Sequence, residues 1–510
     1  MILSAYNVHR SNRRLLPFFS VAVALLLSSG QAALKLAPVF GDHAVLQRDQ
    51  VLNIWGIADP GEEVKVAFAG QEKSCFADEM GRWLVHLDPM VASRVGRDLV
   101  ATSNGSSSAI RDLLIGDVWF CSGQSNMART IVDRYTVEET GSPDLPSLRQ
   151  FTVPYGSSLH PLSETSGFWE VCAADTIRRF SSVGYFFARE IHARTGVPIG
   201  LIQSAVGGTR IEAWMPAEAL AADKFMPIRD AWSRHIEQLP ASLAEFEIAA
   251  NKWAETSEAA AAEGKAYSVR RPLRPEGNES KHALSCLYNA MVNPLTDYRI
   301  RGILWYQGEY NTRQPDGYAE LFASLIASWR HAFKSELPFY WVQLANHERE
   351  GDAPFSWAKI RDAQTQALSL PHTGQAVTID IGEPDDIHPR NKWDVGGRLA
   401  RIALVEVYGE SLVSRGPNFM AARRDGAAIR VLFADAAGLH VRGGSIDAFE
   451  IAGADGIFHP AKVKLAGSEV IVSSPQVTAP SAVRYAWSNS PRATLYNQAG
   501  LPAVPFTFAF

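Results

Sequence analysis

Between about residue 112 and residue 412 the chain repeats one pattern, and that pattern limits the folds open to it. Apolar runs at 113–121, 197–202, 300–306, 339–344 and 376–381 each stop at a polar or glycine-containing turn, with helical-period stretches such as 318–333 and 395–407 between them. A strand buried on both faces shows no polar alternation. Continuous apolar runs separated by helices therefore predict a mostly parallel sheet with helices on both sides. In such sheets ligands bind beyond the carboxyl ends of the strands, which is where these turns fall. The turns read Gly123-Gln124-Ser125-Asn126-Met127, Ser204-Ala205-Val206-Gly207-Gly208-Thr209, Gln307-Gly308-Glu309, Asn346-His347 and Gly382-Glu383-Pro384-Asp385-Asp386-Ile387-His388.

The flanks differ. Residues 34–111 alternate as short strands (Val64, Val66 and Phe68 against Lys65 and Ala67), punctuated by Pro60-Gly61 and Met80-Gly81. They predict a small antiparallel β region. The same pattern returns over 413–510, as in Ile429-Val431-Phe433 and Val470-Val472. Residues 217–265 are rich in Ala and Glu, helical in period and without glycine until Gly264, which predicts a helical insertion, either a lid or rim of the site or a solvated helical hairpin with no role there. Residues 1–33 carry Arg10, Arg13 and Arg14 ahead of an apolar stretch, then Gly30 and Ala32 before a cleavage point. That is the pattern of an export signal, so the mature protein is expected in the periplasm or outside the cell, without stable membrane insertion.

A net charge of −5 over 510 residues, with no basic cluster, argues against a nucleic-acid surface. The four cysteines, Cys75, Cys121, Cys172 and Cys286, allow three complete pairings, and Cys121 in its apolar run is expected as a buried thiol. No metal-ligand spacing is present, so no metal or cofactor is expected.

Ser125, at the abrupt end of a buried strand, has the setting of a nucleophile, although Met127 stands where a hydrolase elbow would have its second glycine. Asp385 and His388 lie three apart between Pro384 and Pro389, in a loop where the carboxylate can hold Nδ1–H and leave Nε2 to take a proton. Acyl transfer builds an oxyanion, for which the N–H of Ser125, an N–H of Gly207 or Gly208, and the Gln307 amide are candidate donors. Two other readings stay open. Glu309 with Asp385 or Asp386 offers the two carboxylates of a glycosidase, and the β regions suit a protein that only binds carbohydrate.

Gly-Gln-Ser-Asn-Met, Val-Gly-Gly-Thr with Ile211-Glu212-Ala213-Trp214, Leu287-Tyr288-Asn289-Ala290-Met291, Trp305-Tyr306-Gln307-Gly308-Glu309 and Asp385-x-x-His388 together resemble the sialate O-acetylesterase family of SGNH hydrolases. The resemblance implies a three-layer α/β/α domain flanked by β-sandwich-like regions. It implies Ser125, His388 and Asp385 as the triad, with Gly207, Gly208 and Gln307 at the oxyanion positions. The implied partner is an acetylated carbohydrate, an O-acetyl sialic acid or a plant hemicellulose. Gln124, Asn126, Arg210, Glu309 and Asn311 are the expected substrate contacts, and Arg129 or Arg210 would meet a sialic acid carboxylate.

Overall fold

The computed structural model describes residues 34–141, 144–443 and 448–510; the expected export signal, residues 1–33, lies outside them. The central sheet runs in the order Trp169–Cys172, Leu145–Thr152, Ile199–Ala205, Ser106–Gly123, Gly302–Tyr306, Phe339–Val342, Thr373–Ala376. All neighbours are parallel except the edge strand Trp169–Cys172. Chain order reverses about the strand Ser106–Gly123, so the crevice opens at its carboxyl end, beside Ser125.

The expected layers follow from residues of this strand. Trp119 packs edge-on to Phe187 of helix Ser182–Thr195, while its neighbour Phe120 meets Trp329 of helix Tyr318–Ala332 from the opposite face. Successive side chains on a strand point to opposite faces, so an apolar pair here demands helices on both sides. Helix Trp393–Glu406 lies against Ser182–Thr195 at Gly396, where a Cβ would stand 2.7 Å from that of Phe186.

The last strand is displaced from its expected position. It covers Thr373–Ala376, and Val377 and Ile379 are buried instead in the core of the C-terminal region. Apolar character alone did not distinguish burial in the sheet from burial against a neighbouring β region.

Two β regions flank the sheet, and they attach differently. The N-terminal strands share one continuous core with the α/β layers. Strand Ser106–Gly123, 18 residues long, pairs first with Ser93–Ser103 and then with Ile199–Ala205 and Gly302–Tyr306, crossing the expected boundary at residue 112. The C-terminal region has two four-stranded antiparallel sheets around its own core, bridged by Phe433 and Phe506. Residues 217–265 contain one long helix, Met226–Ala262, with Pro240 inside it and no buried residue. All four cysteines are free thiols, Cys121 fully buried. No helix among the described residues is long and apolar enough to cross a membrane.

Candidate active site

The strand Ser106–Gly123 ends at Gly123, whose φ of +128° favours glycine and where a Cβ would meet the Tyr306 carbonyl at 2.2 Å. The chain then turns into the short helix Ser125–Ala128, which starts at the serine. Ser125 Oγ lies 2.8 Å from His388 Nε2. Residues 263 positions apart are thus at hydrogen-bonding distance, in the arrangement of a nucleophile and its base.

The third expected member is elsewhere. Residues 383–386 close a tight turn, with Asp386 N donating to Glu383 O, and this leaves Asp385 exposed at its tip without a side-chain partner among the described residues. Asp386 is the carboxylate facing the ring. Its Oδ1 accepts from His388 N at 2.8 Å and stands 3.9 Å from Nδ1, while Oδ2 pairs with Arg134 at 3.4 Å. The Arg129 guanidinium approaches Nδ1 to 3.5 Å. Burial, with Arg129 next in weight, pulls the imidazole down to about 4 from its usual range, against the opposing pull of Asp386.

Of the expected oxyanion donors, the backbone groups remain available and the side chain does not. A Cβ on Gly207 would stand 3.3 Å from that of Ser125, so this backbone passes directly beside the nucleophile. Neither Ser125 N nor Gly207 N donates a hydrogen bond to the described residues. Gly208 sits one residue further, with φ +66°. Gln307 is fully buried. Its amide donates to Thr209 O and Asn311 Oδ1, and its oxygen accepts from the Tyr318 hydroxyl at 2.9 Å. A buried amide with all its groups engaged holds a loop and has no donor left for an oxyanion.

The expected substrate contacts divide the same way. Asn126 is buried, donating to Glu309 Oε1 and Ile387 O. Asn311 is spent on Ile211 N, Gln307 and Glu212. Gln124 is buried and its oxygen accepts from Tyr310 N at 3.4 Å. Glu309 is buried, with Oε1 accepting from Asn126 and its carboxyl pushed up by burial, while Asp385 is exposed and Asp386 pairs with Arg134 and faces His388. Arg210 and Asn311 line a cleft, Asn311 with its side chain already engaged.

A family model described as carbohydrate esterase, sialic acid-specific acetylesterase, matches residues 115–270 and 277–404. The chain belongs to this family. It is a serine esterase of the carbohydrate O-acetylesterase type. The sialate O-acetylesterase of Rattus norvegicus is 30% identical over 75% of this chain and 75% of its own length. That of Homo sapiens is 28% identical over 75% and 73%. A crystal structure of a carbohydrate acetylesterase from Xanthomonas citri superimposes with a TM-score of 0.79 at 37% identity, covering 93% of this chain and 99% of that one.

Around the Ser125–His388 pair of this carbohydrate esterase lie Arg210, an expected contact, and further groups that the motifs did not single out. A cleft of about 820 Å³ is bounded by Arg210, Arg313, Tyr310 and Trp232 of the long helix. It opens next to the nucleophile turn, because Tyr310 N is bonded to Gln124 and Lys281 Nζ to the Gly207 carbonyl at 2.6 Å. Arg210, Arg313 and Lys281 have no carboxylate within 4.0 Å among the described residues; the two guanidiniums instead flank the Tyr310 ring. Burial, against the pull of Glu276 in the same cleft and with these three cations adding to it, holds His282 down at about 4. Lys392 is buried behind the turn. No local signal marked Arg313, Lys281, His282 or Lys392; only the fold brings the first three beside Arg210 and Lys392 behind the turn. Among the described residues no group of three or more His, Cys, Asp or Glu is placed to hold a metal ion.

Proposed function

We propose that the chain deacetylates O-acetylated sugars by a serine mechanism in which Ser125 is the nucleophile and His388 the base. The observation that carries this is the 2.8 Å contact between Oγ and Nε2. His388 takes the hydroxyl proton as Oγ bonds the acetyl carbon, then returns it to the departing sugar oxygen. Water, deprotonated by the same imidazole, attacks the acetyl-enzyme; acetate leaves and Ser125 regains its proton. The N–H groups of Ser125 and Gly207 receive the oxyanion. Asp386 takes the place expected for Asp385 and steadies the imidazolium from 3.9 Å. Gln307 supports the loop that closes the site.

The substrate reading favoured by charge is an acidic sugar such as an O-acetyl sialic acid. Arg210, Arg313 and Lys281 leave positive charge without carboxylate partners beside the nucleophile turn, and a guanidinium fork suits a carboxylate. A neutral hemicellulose is supported by a different feature. A second cleft, of about 610 Å³, is lined by exposed Phe168 together with Ala128 and Ala205 on the other side of the turn. Acetate release is to be measured on O-acetyl sialic acid, acetyl-xylan and acetylated xyloglucan, with Ser125→Ala as control. Turnover of the sialic acid with little on the xylans supports the acidic reading; the reverse supports the neutral one. Unchanged release by Ser125→Ala overturns the mechanism. Export rests on the residue pattern of 1–33, and a mature protein whose sequenced amino terminus is Ala33 would support it.

A further inference from the structure

A buried cation next to the nucleophile loop takes no part in the proposed mechanism. Lys392 is wholly shielded from solvent, and its Nζ donates to Asn126 Oδ1 and to the Pro389 carbonyl, each at 2.7 Å. Asn126 follows the nucleophile in the chain, and Pro389 follows the base. One ammonium therefore touches both loops whose meeting brings Oγ to Nε2.

Asn126 completes the tie. Its Nδ2 donates to the carbonyl of Ile387, immediately before His388, at 3.0 Å, and to Glu309 Oε1 at 2.6 Å. The base is thus held on both sides, at 387 by the amide and at 389 by the ammonium. Glu309 gives this buried cation an opposite charge, relayed through Asn126, and its second oxygen has no donor among the described residues. Burial draws the ammonium down to about 7 and pushes the carboxyl up, both marks of charge kept out of water. Charged groups are costly to bury, and apolar side chains would fill the same space at less cost. A loop pair that needed only to pack would not require them.

We propose that Lys392 is a positioning residue for the proton transfer, setting the separation of Ser125 and His388 through Asn126 and Pro389, with Glu309 as its counter-charge. This rests on the reading of Ser125 and His388 given above. A misplacement of about 1 Å at reacting atoms costs on the order of 10²-fold in rate.

The test is a double-mutant cycle read in kcat and KM on the best acetylated sugar, with thermal unfolding followed on each variant. Lys392→Met keeps the bulk of the side chain and removes its donors. It is expected to lower kcat roughly 10–100-fold with KM within about twofold. In a His388→Ala background, where no proton transfer remains to be aligned, the same change is expected to add less than about twofold. Asn126→Ala, which cuts the tie from the other end, is expected to behave alike and serves if Lys392→Met does not fold. Unchanged kcat overturns the proposal. So does an equal loss with and without His388, which is what a merely structural role would produce. A His388→Ala enzyme with full activity overturns the underlying site reading instead, so the two failures are distinguishable.

Discussion

The strand Ser106–Gly123 carries charge near both limits of its parallel segment, and the two sites are built on opposite terms. At the amino end, Asp117 is fully buried and every need of its carboxylate is met. Gln47, Arg48 and Arg301 donate to Oδ1 and the Tyr408 hydroxyl to Oδ2, all within 3.0 Å. Burial alone would raise its pKa, but Arg301 and the donated hydrogen bonds hold it below the usual carboxylate range. Eight residues on, roughly 25 Å along the strand, lies Ser125. There the buried polar atoms of Ser122 Oγ, Arg129 Nε, Arg210 Nε and Glu309 Oε2 have no partner among the described residues. The saturated end joins four segments of chain, whereas the unsaturated one holds donors and cations in readiness for a ligand. Stability is placed where nothing has to bind, and the opposite end gives up some of it for function.

Four experiments test that contrast, from the largest effect to the smallest. Ser125→Ala is expected to cut acetate release by at least about 10³-fold while leaving the unfolding midpoint unchanged or slightly raised. A lowered midpoint would mean that this end also stabilises. Asp117→Ala strips the carboxylate from two guanidiniums and is expected to cost about 3–5 kcal/mol in denaturant unfolding, with kcat per folded molecule unaltered. Loss of kcat in the folded fraction would show that the two ends are coupled.

The third concerns pH. His388 stays neutral down to about 4 in the folded chain, whereas an exposed imidazole protonates near 6.5. The acid limb of kcat/KM is accordingly expected near pH 4. Because the folded value is depressed, the unfolded chain binds the proton first, so this group's contribution to stability is lost as pH falls from about 6.5 to about 4. Arg129→Met removes a repelling charge and is expected to move the limb upward by roughly one pH unit; Asp386→Asn is expected to move it downward. The last is Asp385→Asn, expected to change kcat/KM by less than about twofold, as is usual for an exposed side chain without partners. A large loss here would restore Asp385 to the place first expected for it.

These residues also show how far the sequence could be read. Strand ends followed by special turns located Ser125 and His388, because both the apolar runs and the prolines are local signals. The choice between Asp385 and Asp386 is not local. A tight turn through Pro384 sends one carboxylate outward and leaves its neighbour facing the ring. Gln307 was correctly placed at a strand end, but its amide is occupied by Thr209 and Asn311, approached from two other segments. Lys392, just ahead of helix Trp393–Glu406, carries no local mark; only the packing of three loops makes it a buried cation. Val377 and Ile379 read as strand because burial by a distant β region leaves the same apolar mark.

The 18-residue strand has one more consequence. Similarity to the family begins at residue 115, partway along a single ribbon of backbone whose first half is knitted into the N-terminal β region. Cutting there would sever the rod on which the serine is mounted and uncover one flank of the shared interior. Shortening from the back is no freer, because the C-terminal core encloses Val377 and Ile379 on the way to His388 and its Ser488 and Asn489 carbonyls hold the buried Arg361.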